Sequence, residues 1–170
     1  ISPMISLYGA CKFLNEVLCR QYNENHGVET IGLRCGTIYG PGEISSTGIA
    51  QEIKKIESIA SGKNVTVELA EDDLLMPLFV ADAARAFVLA ATATDRISPI
   101  YNIGISADEA ISMRDFVLAI KTLEPTSGEV TFSVGNRSVQ AEISEVMSFD
   151  ISLANNELKF QPTYDLERGL

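Results

Sequence analysis

The chain has 170 residues, 46% of them hydrophobic and 21% charged, enough to bury roughly two thirds of its unfolded surface in one domain or lobe. A formal net charge of -10 creates a field that repels polyanions, which argues against nucleic acid and anionic lipid as partners. The longest apolar stretch, Phe79 to Ala93, is broken by Asp82 and Arg85 and falls short of the roughly 18 to 20 residues needed to cross a bilayer.

In chain order, Ile1 to Leu7 carries neither an initiating methionine nor the basic flank and apolar run of a signal peptide, and the start is read as a cut edge. Leu7, Cys11, Leu14, Val17, Leu18 and Tyr22 recur at helical spacing and predict a helix over Leu7 to Asn25, stopped by Gly27. Val28 to Cys35 reads as a buried strand leaving into a loop rich in glycine and proline, Gly36 to Gly42. Gly48 to Ala60 is helical by period, with Ile49, Ile53, Ile56 and Ile59 on one side and Gly62 closing it.

A short strand at Val65 to Leu69 follows, then an acidic turn, Glu71 to Asp73, expected to be solvated. Pro77 to Val80 looks extended, Asp82 can cap an alanine-rich helix over Ala83 to Thr92, and Ile100 to Ile103 is a further strand. Ser112 caps a helix reaching about Leu123, Val130 to Val134 is a strand, Gly135 to Glu145 is polar, and a short helix near Ser152 to Leu158 precedes Pro162. The alternation of helices and strands predicts an α/β fold.

Three cysteines, Cys11, Cys19 and Cys35, lack metal-ligand spacing, and His26 is the lone histidine. No metal site is expected, and a reducing, cytoplasmic setting fits best.

The chemistry centres on Tyr8 and Lys12, four residues apart and therefore on one face of the first helix. A phenol, with an ordinary pKa near 10, is a poor base at neutral pH, but a neighbouring ammonium favours its anion. Such a group can match a hydride delivered to carbon with a proton delivered to oxygen, or do the reverse. Taken alone, the pair reads equally as an amphipathic helix with a snorkelling lysine.

The order of segments that follows is more specific. YGACK at Tyr8 to Lys12, LRCGTIYGPG at Leu33 to Gly42, LFVADAARA at Leu78 to Ala86, YNIG at Tyr101 to Gly104 and FDISLANNELKFQP at Phe149 to Pro162 together resemble the extended short-chain dehydrogenase/reductase, or NAD-dependent epimerase/dehydratase, family. The resemblance spans nearly the whole chain and implies a partial Rossmann-like, doubly wound parallel sheet with a small α+β substrate lobe, the latter built mainly from about 40–80 and 104–170. It implies hydride transfer on a nucleotide sugar or related hydroxy or carbonyl substrate, NAD or NADP as cofactor, and a homodimer at full length.

By the same resemblance Tyr8 is the catalytic acid/base, and Lys12 tunes it and holds the cofactor. Cys35, Gly36 and Ile38 border the cofactor, while Thr37 falls where the family often has a substrate-facing asparagine. For Gly40 and Gly42 the structural reading, a sharp turn after a strand, is preferred. Asp82 reads as a helix cap sooner than a lobe residue, and Asn102 divides evenly between a strand-end turn and lobe support.

Two features depart from the family. No glycine-rich phosphate loop or ribose selector lies in the chain, so 1–170 is expected to be a C-terminal half, inactive by itself. Leu75 falls about where nucleotide-sugar enzymes of the family carry an arginine for the diphosphate, which points to an apolar pocket side and a smaller substrate. The alternatives are a non-catalytic binding module on this scaffold and a dehydrogenase of a small hydroxy compound.

Overall fold

The computed structural model describes residues 7–42, 49–94, 98–133 and 149–170; the polar stretch from 135 to 145 lies outside them. Helix α1, Leu7–His26, ends where Gly27 takes φ of 64° and donates its N–H to the Asn23 carbonyl at 2.9 Å. None of the residues of α1 is buried, and Leu7, Tyr8, Phe13 and Leu14 are all exposed. Its helical period is met, but the described fold covers little of it.

The strand expected from Val28 begins only at Gly32 and continues as two pieces, β1 (Gly32–Cys35) and β2 (Thr37–Tyr39). β1 pairs in parallel with β6 (Ile100–Ile103), in register from Gly32 opposite Ile100 to Cys35 opposite Ile103. β2 pairs in parallel with β5 (Pro77–Phe79), Thr37 lying opposite Pro77. The hand-over falls at Gly36, whose N–H donates to the Ile103 carbonyl at 2.8 Å while that of Thr37 donates to the Met76 carbonyl at 2.9 Å. A Cβ at Gly36 would stand 2.9 Å from that Met76 oxygen, so two backbones approach here as only glycine allows.

Parallel strands need a crossover, and α3 (Val80–Thr92) supplies the one from β5 to β6. It starts at Val80, not Ala83, which places Asp82 inside the first turn. Asp82 therefore does not cap. It is 1% exposed and accepts from the Thr163 N–H (2.9 Å), the Thr163 hydroxyl (2.7 Å), the Tyr164 N–H (3.0 Å) and Arg85 Nη2 (2.9 Å). The carboxylate ties the C-terminal segment, which runs on into the short helix α6 (Leu166–Gly169), to α3.

The second layer begins with α2 (Ile49–Glu57) and a 3-10 turn, Ser58–Ser61, closed by Gly62 at φ of 76°. Ile53, Ile56 and Ile59 are fully buried, as their spacing predicts. They pack with Tyr39, Val67, Leu75, Met113 and Phe116 in one core, while Leu78, Ala86, Tyr101, Ile103 and Phe160 form another. The β2–β5 pair contributes to both cores, Tyr39 to the first and Leu78 to the second.

Around the first core, β3 (Val65–Val67) pairs in parallel with β8 (Val130–Phe132), and β4 (Leu74–Leu75) pairs antiparallel with β7 (Ile111–Ser112). Helix α4 (Met113–Leu123) starts on a capping box in which Ser112 accepts from the Asp115 N–H and Asp115 accepts from that of Ser112. Helix α5 (Ser152–Leu158) lies where the sequence places it. The acidic turn differs from expectation: Asp73 is buried and accepts from the Ala70 N–H at 2.9 Å, and Glu71 pairs with Arg114. No helix among the described residues is long and apolar enough to cross a membrane.

Candidate active site

A cleft of about 900 Å³ separates α1 from the β1–β2 run. Helical period puts Tyr8, Lys12 and Glu16, at successive four-residue steps, on one stripe of α1, and all three line this cleft. The Lys12 ammonium lies 5.2 Å from the centroid of the Tyr8 ring, within cation–π range. No carboxylate among the described residues pairs with Lys12. Tyr8, 72% exposed, has its phenol open to whatever occupies the cleft.

Facing them, the hand-over between strands supplies Cys35, Gly36, Thr37 and Ile38 to the cleft lining. Burial pushes the Cys35 thiol up, so it stays protonated at neutral pH and is no thiolate nucleophile. Gly40 and Gly42, beyond the floor, have φ of 114° and 130°, which gives them the turn role the sequence suggests.

Leu75 is not brought to the cleft. It is 1% exposed and sits in the first core, while its neighbours Leu74 and Met76 line the cleft. The alternation of side chains along an extended segment inverts the expected assignment by one residue. The apolar residues of this segment at the cleft are Leu74 and Met76.

Sequence reasoning missed three contributors. Glu16 and Arg34 bridge the cleft, with Arg34 Nε donating to Glu16 Oε1 at 2.7 Å and Nη2 to Oε2 at 2.6 Å. The hydrogen bond from Arg34 holds the Glu16 carboxyl below the usual carboxylate range, and the same bond raises Arg34. Glu16 was within reach of the four-residue stripe; its partner on β1 was not. Phe149 also lines the cleft, against Gly104, where a Cβ would stand 3.2 Å from its ring. Asn102 donates to the Asp150 carbonyl at 3.0 Å, so it anchors the segment carrying Phe149.

The lining brings together a lysine that no carboxylate among the described residues pairs with, a phenol beside it, and a floor whose backbone is bare at Gly36. Among the described residues no group of three or more His, Cys, Asp or Glu side chains is placed to hold a metal ion.

Residues 2–104 match the NAD dependent epimerase/dehydratase family. The chain is 27% identical over 188 residues to UDP-glucuronate 4-epimerase 4 of Arabidopsis thaliana, covering 97% of this chain and 39% of that protein. Among solved structures, UDP-glucuronic acid 4-epimerase from Bacillus cereus, in complex with UDP-glucuronic acid and NAD, is 26% identical with a TM-score of 0.76, covering 97% of this chain and 50% of its own. L-threonine 3-dehydrogenase from Trypanosoma brucei shares the fold at 20% identity, with a TM-score of 0.82 over 96% of this chain and 51% of its own. The chain thus spans between 39% and 51% of the length of these proteins.

Proposed function

Because the chain belongs to the NAD-dependent epimerase/dehydratase family, we propose that it is the C-terminal half of an NAD- or NADP-dependent enzyme acting on a sugar nucleotide or a related hydroxy or carbonyl compound. One observation carries the reading: Tyr8 and Lys12, a helical turn apart, line the same cleft as Cys35 to Ile38. The substrate lobe is drawn mainly from about 40–80 and 104–170. The exposed apolar residues of α1 are the surface that the nucleotide-binding half, and in a homodimer a second copy, cover.

Lys12, Cys35, Gly36 and Ile38 would hold the nicotinamide nucleotide, which when bound would supply the hydride acceptor or donor for the substrate carbinol. Tyr8 takes the hydroxyl proton at its phenolic oxygen in one direction and gives it back in the other. Lys12 supplies the nearby positive charge that favours the phenolate and donates to ribose hydroxyls. Gly36 and Ile38 border the cofactor ring, and Thr37 offers a hydroxyl to the substrate. Leu74 and Met76 favour a second reading within the same chemistry, in which the substrate is a small hydroxy compound that an apolar wall accommodates without a diphosphate clamp.

In the full-length protein, NAD reduction with L-threonine and NAD-dependent epimerisation of UDP-glucuronate separate the two readings. Tyr8→Phe is expected to keep cofactor binding and lose most turnover, and Lys12→Ala to lose both. Wild-type turnover in Tyr8→Phe ends the assignment.

A further inference from the structure

Within the described fold none of the residues of α1 is buried, so the polar contacts it makes with the segment that follows bear directly on its rotation relative to β1. Polar ties join its cleft side to the chain beyond. Thr30 Oγ1 donates to the Cys19 carbonyl at 3.2 Å, and Arg34 grips Glu16 through two parallel charged hydrogen bonds. A fork-to-fork contact between guanidinium and carboxylate fixes orientation as well as distance, which a single-point contact does not.

We propose that the Glu16–Arg34 pair is the positioning device of the site, setting the rotation and depth of α1 so that Tyr8 and Lys12 point into the cleft. This rests on the reading of Tyr8 and Lys12 as the proton relay. Glu16 is the third member of their stripe, about 6 Å along the axis from Lys12 and about 12 Å from Tyr8 at 1.5 Å per residue. A small rotation at Glu16 therefore moves both groups together. Arg34 is fixed in turn by β1, where it lies opposite Asn102, and the residue after it opens the cleft floor at Cys35. The pair thus joins the helix carrying the relay to the strand that leads into the cleft floor, and it acts by placing Tyr8 and Lys12.

The test uses Glu16→Gln, Arg34→Gln and the double variant in the full-length protein, with NAD and whichever of L-threonine or UDP-glucuronate the wild type turns over. Each single variant is expected to lower kcat between about tenfold and a hundredfold, the scale of an ångström-sized misplacement, measured well below its melting temperature. The double variant loses no more than the worse single one, because the two residues act as a unit. Hydrogen exchange is expected to quicken in α1 and not in α3 or β6. Wild-type kcat in either single variant, losses that multiply in the double variant, or unchanged exchange in α1 overturns the proposal. Tyr8→Phe is the control: if it retains turnover, or if neither compound is turned over, the underlying reading fails and this inference with it.

Discussion

Replacing Asp82 with alanine tests the account of the C-terminal segment most directly. The carboxylate is 1% exposed and accepts four hydrogen bonds, two from the backbone N–H groups of Thr163 and Tyr164. Removing one partner of a buried charged pair costs about 3 to 5 kcal/mol. Thr163 is exposed and the Arg85 side chain is 36% exposed, so water recovers part of the loss. The expected destabilisation is about 3 kcal/mol, a large share of the 5 to 15 kcal/mol typical of a folded domain. Urea unfolding followed by circular dichroism should show a lower midpoint at unchanged slope.

The effect should also depend on pH. Burial pushes the Asp82 carboxyl up, but the hydrogen bonds from Thr163, Tyr164 and Arg85 outweigh it, and the net displacement is downward from 3.8. A depressed carboxylate contributes stability that is present above its ordinary pKa and lost as pH falls through the folded value. The gap between wild type and Asp82→Ala should therefore narrow on acidification below about pH 4. A loss under about 1 kcal/mol at neutral pH would refute the claim that this carboxylate holds the segment.

At Gly36, alanine would press a Cβ to 2.9 Å from the Met76 carbonyl oxygen. The expected cost is about 1 to 3 kcal/mol, read as a lower melting temperature, and an unchanged melting temperature would contradict the close approach described. Tyr39, 2% exposed, has its phenol pushed up to about 12 by burial, with Asp165, Asp82 and Glu57 adding to it. A raised phenol contributes stability that is intact below about pH 10 and lost as pH climbs towards 12. Alkaline unfolding monitored at the phenolate absorbance should show this, and Tyr39→Phe should flatten the loss over that window.

Much of the architecture was legible because it depends on local periodicity. The spacing of Ile53, Ile56 and Ile59 fixed which side of α2 is buried, Ser112 and Asp115 marked the start of α4, and a four-residue step put Tyr8 and Lys12 on one stripe. The order of short motifs pointed to the family because each carries a local turn or face. What remained hidden depends on residues distant in the chain. Asp82 reads as a helix cap until Thr163 and Tyr164 arrive from eighty residues away. Leu75 joins the first core while Leu74 and Met76 line the cleft because β4 pairs with β7 and packs on that core, and a one-residue step in an extended segment exchanges its two faces.

By itself, then, the sequence determined the elements, their amphipathic sides and the pairing of a phenol with an ammonium, since all of these follow from dihedral preference and spacing along one helix or strand. Only tertiary structure decided that the strand changes partners at Gly36, that Arg34 on β1 grips Glu16 on α1, and which residues wall the cleft. The physical reason is that a hydrogen bond or an ion pair between elements needs both partners placed by the whole fold, and no period within one segment records where the other will stand.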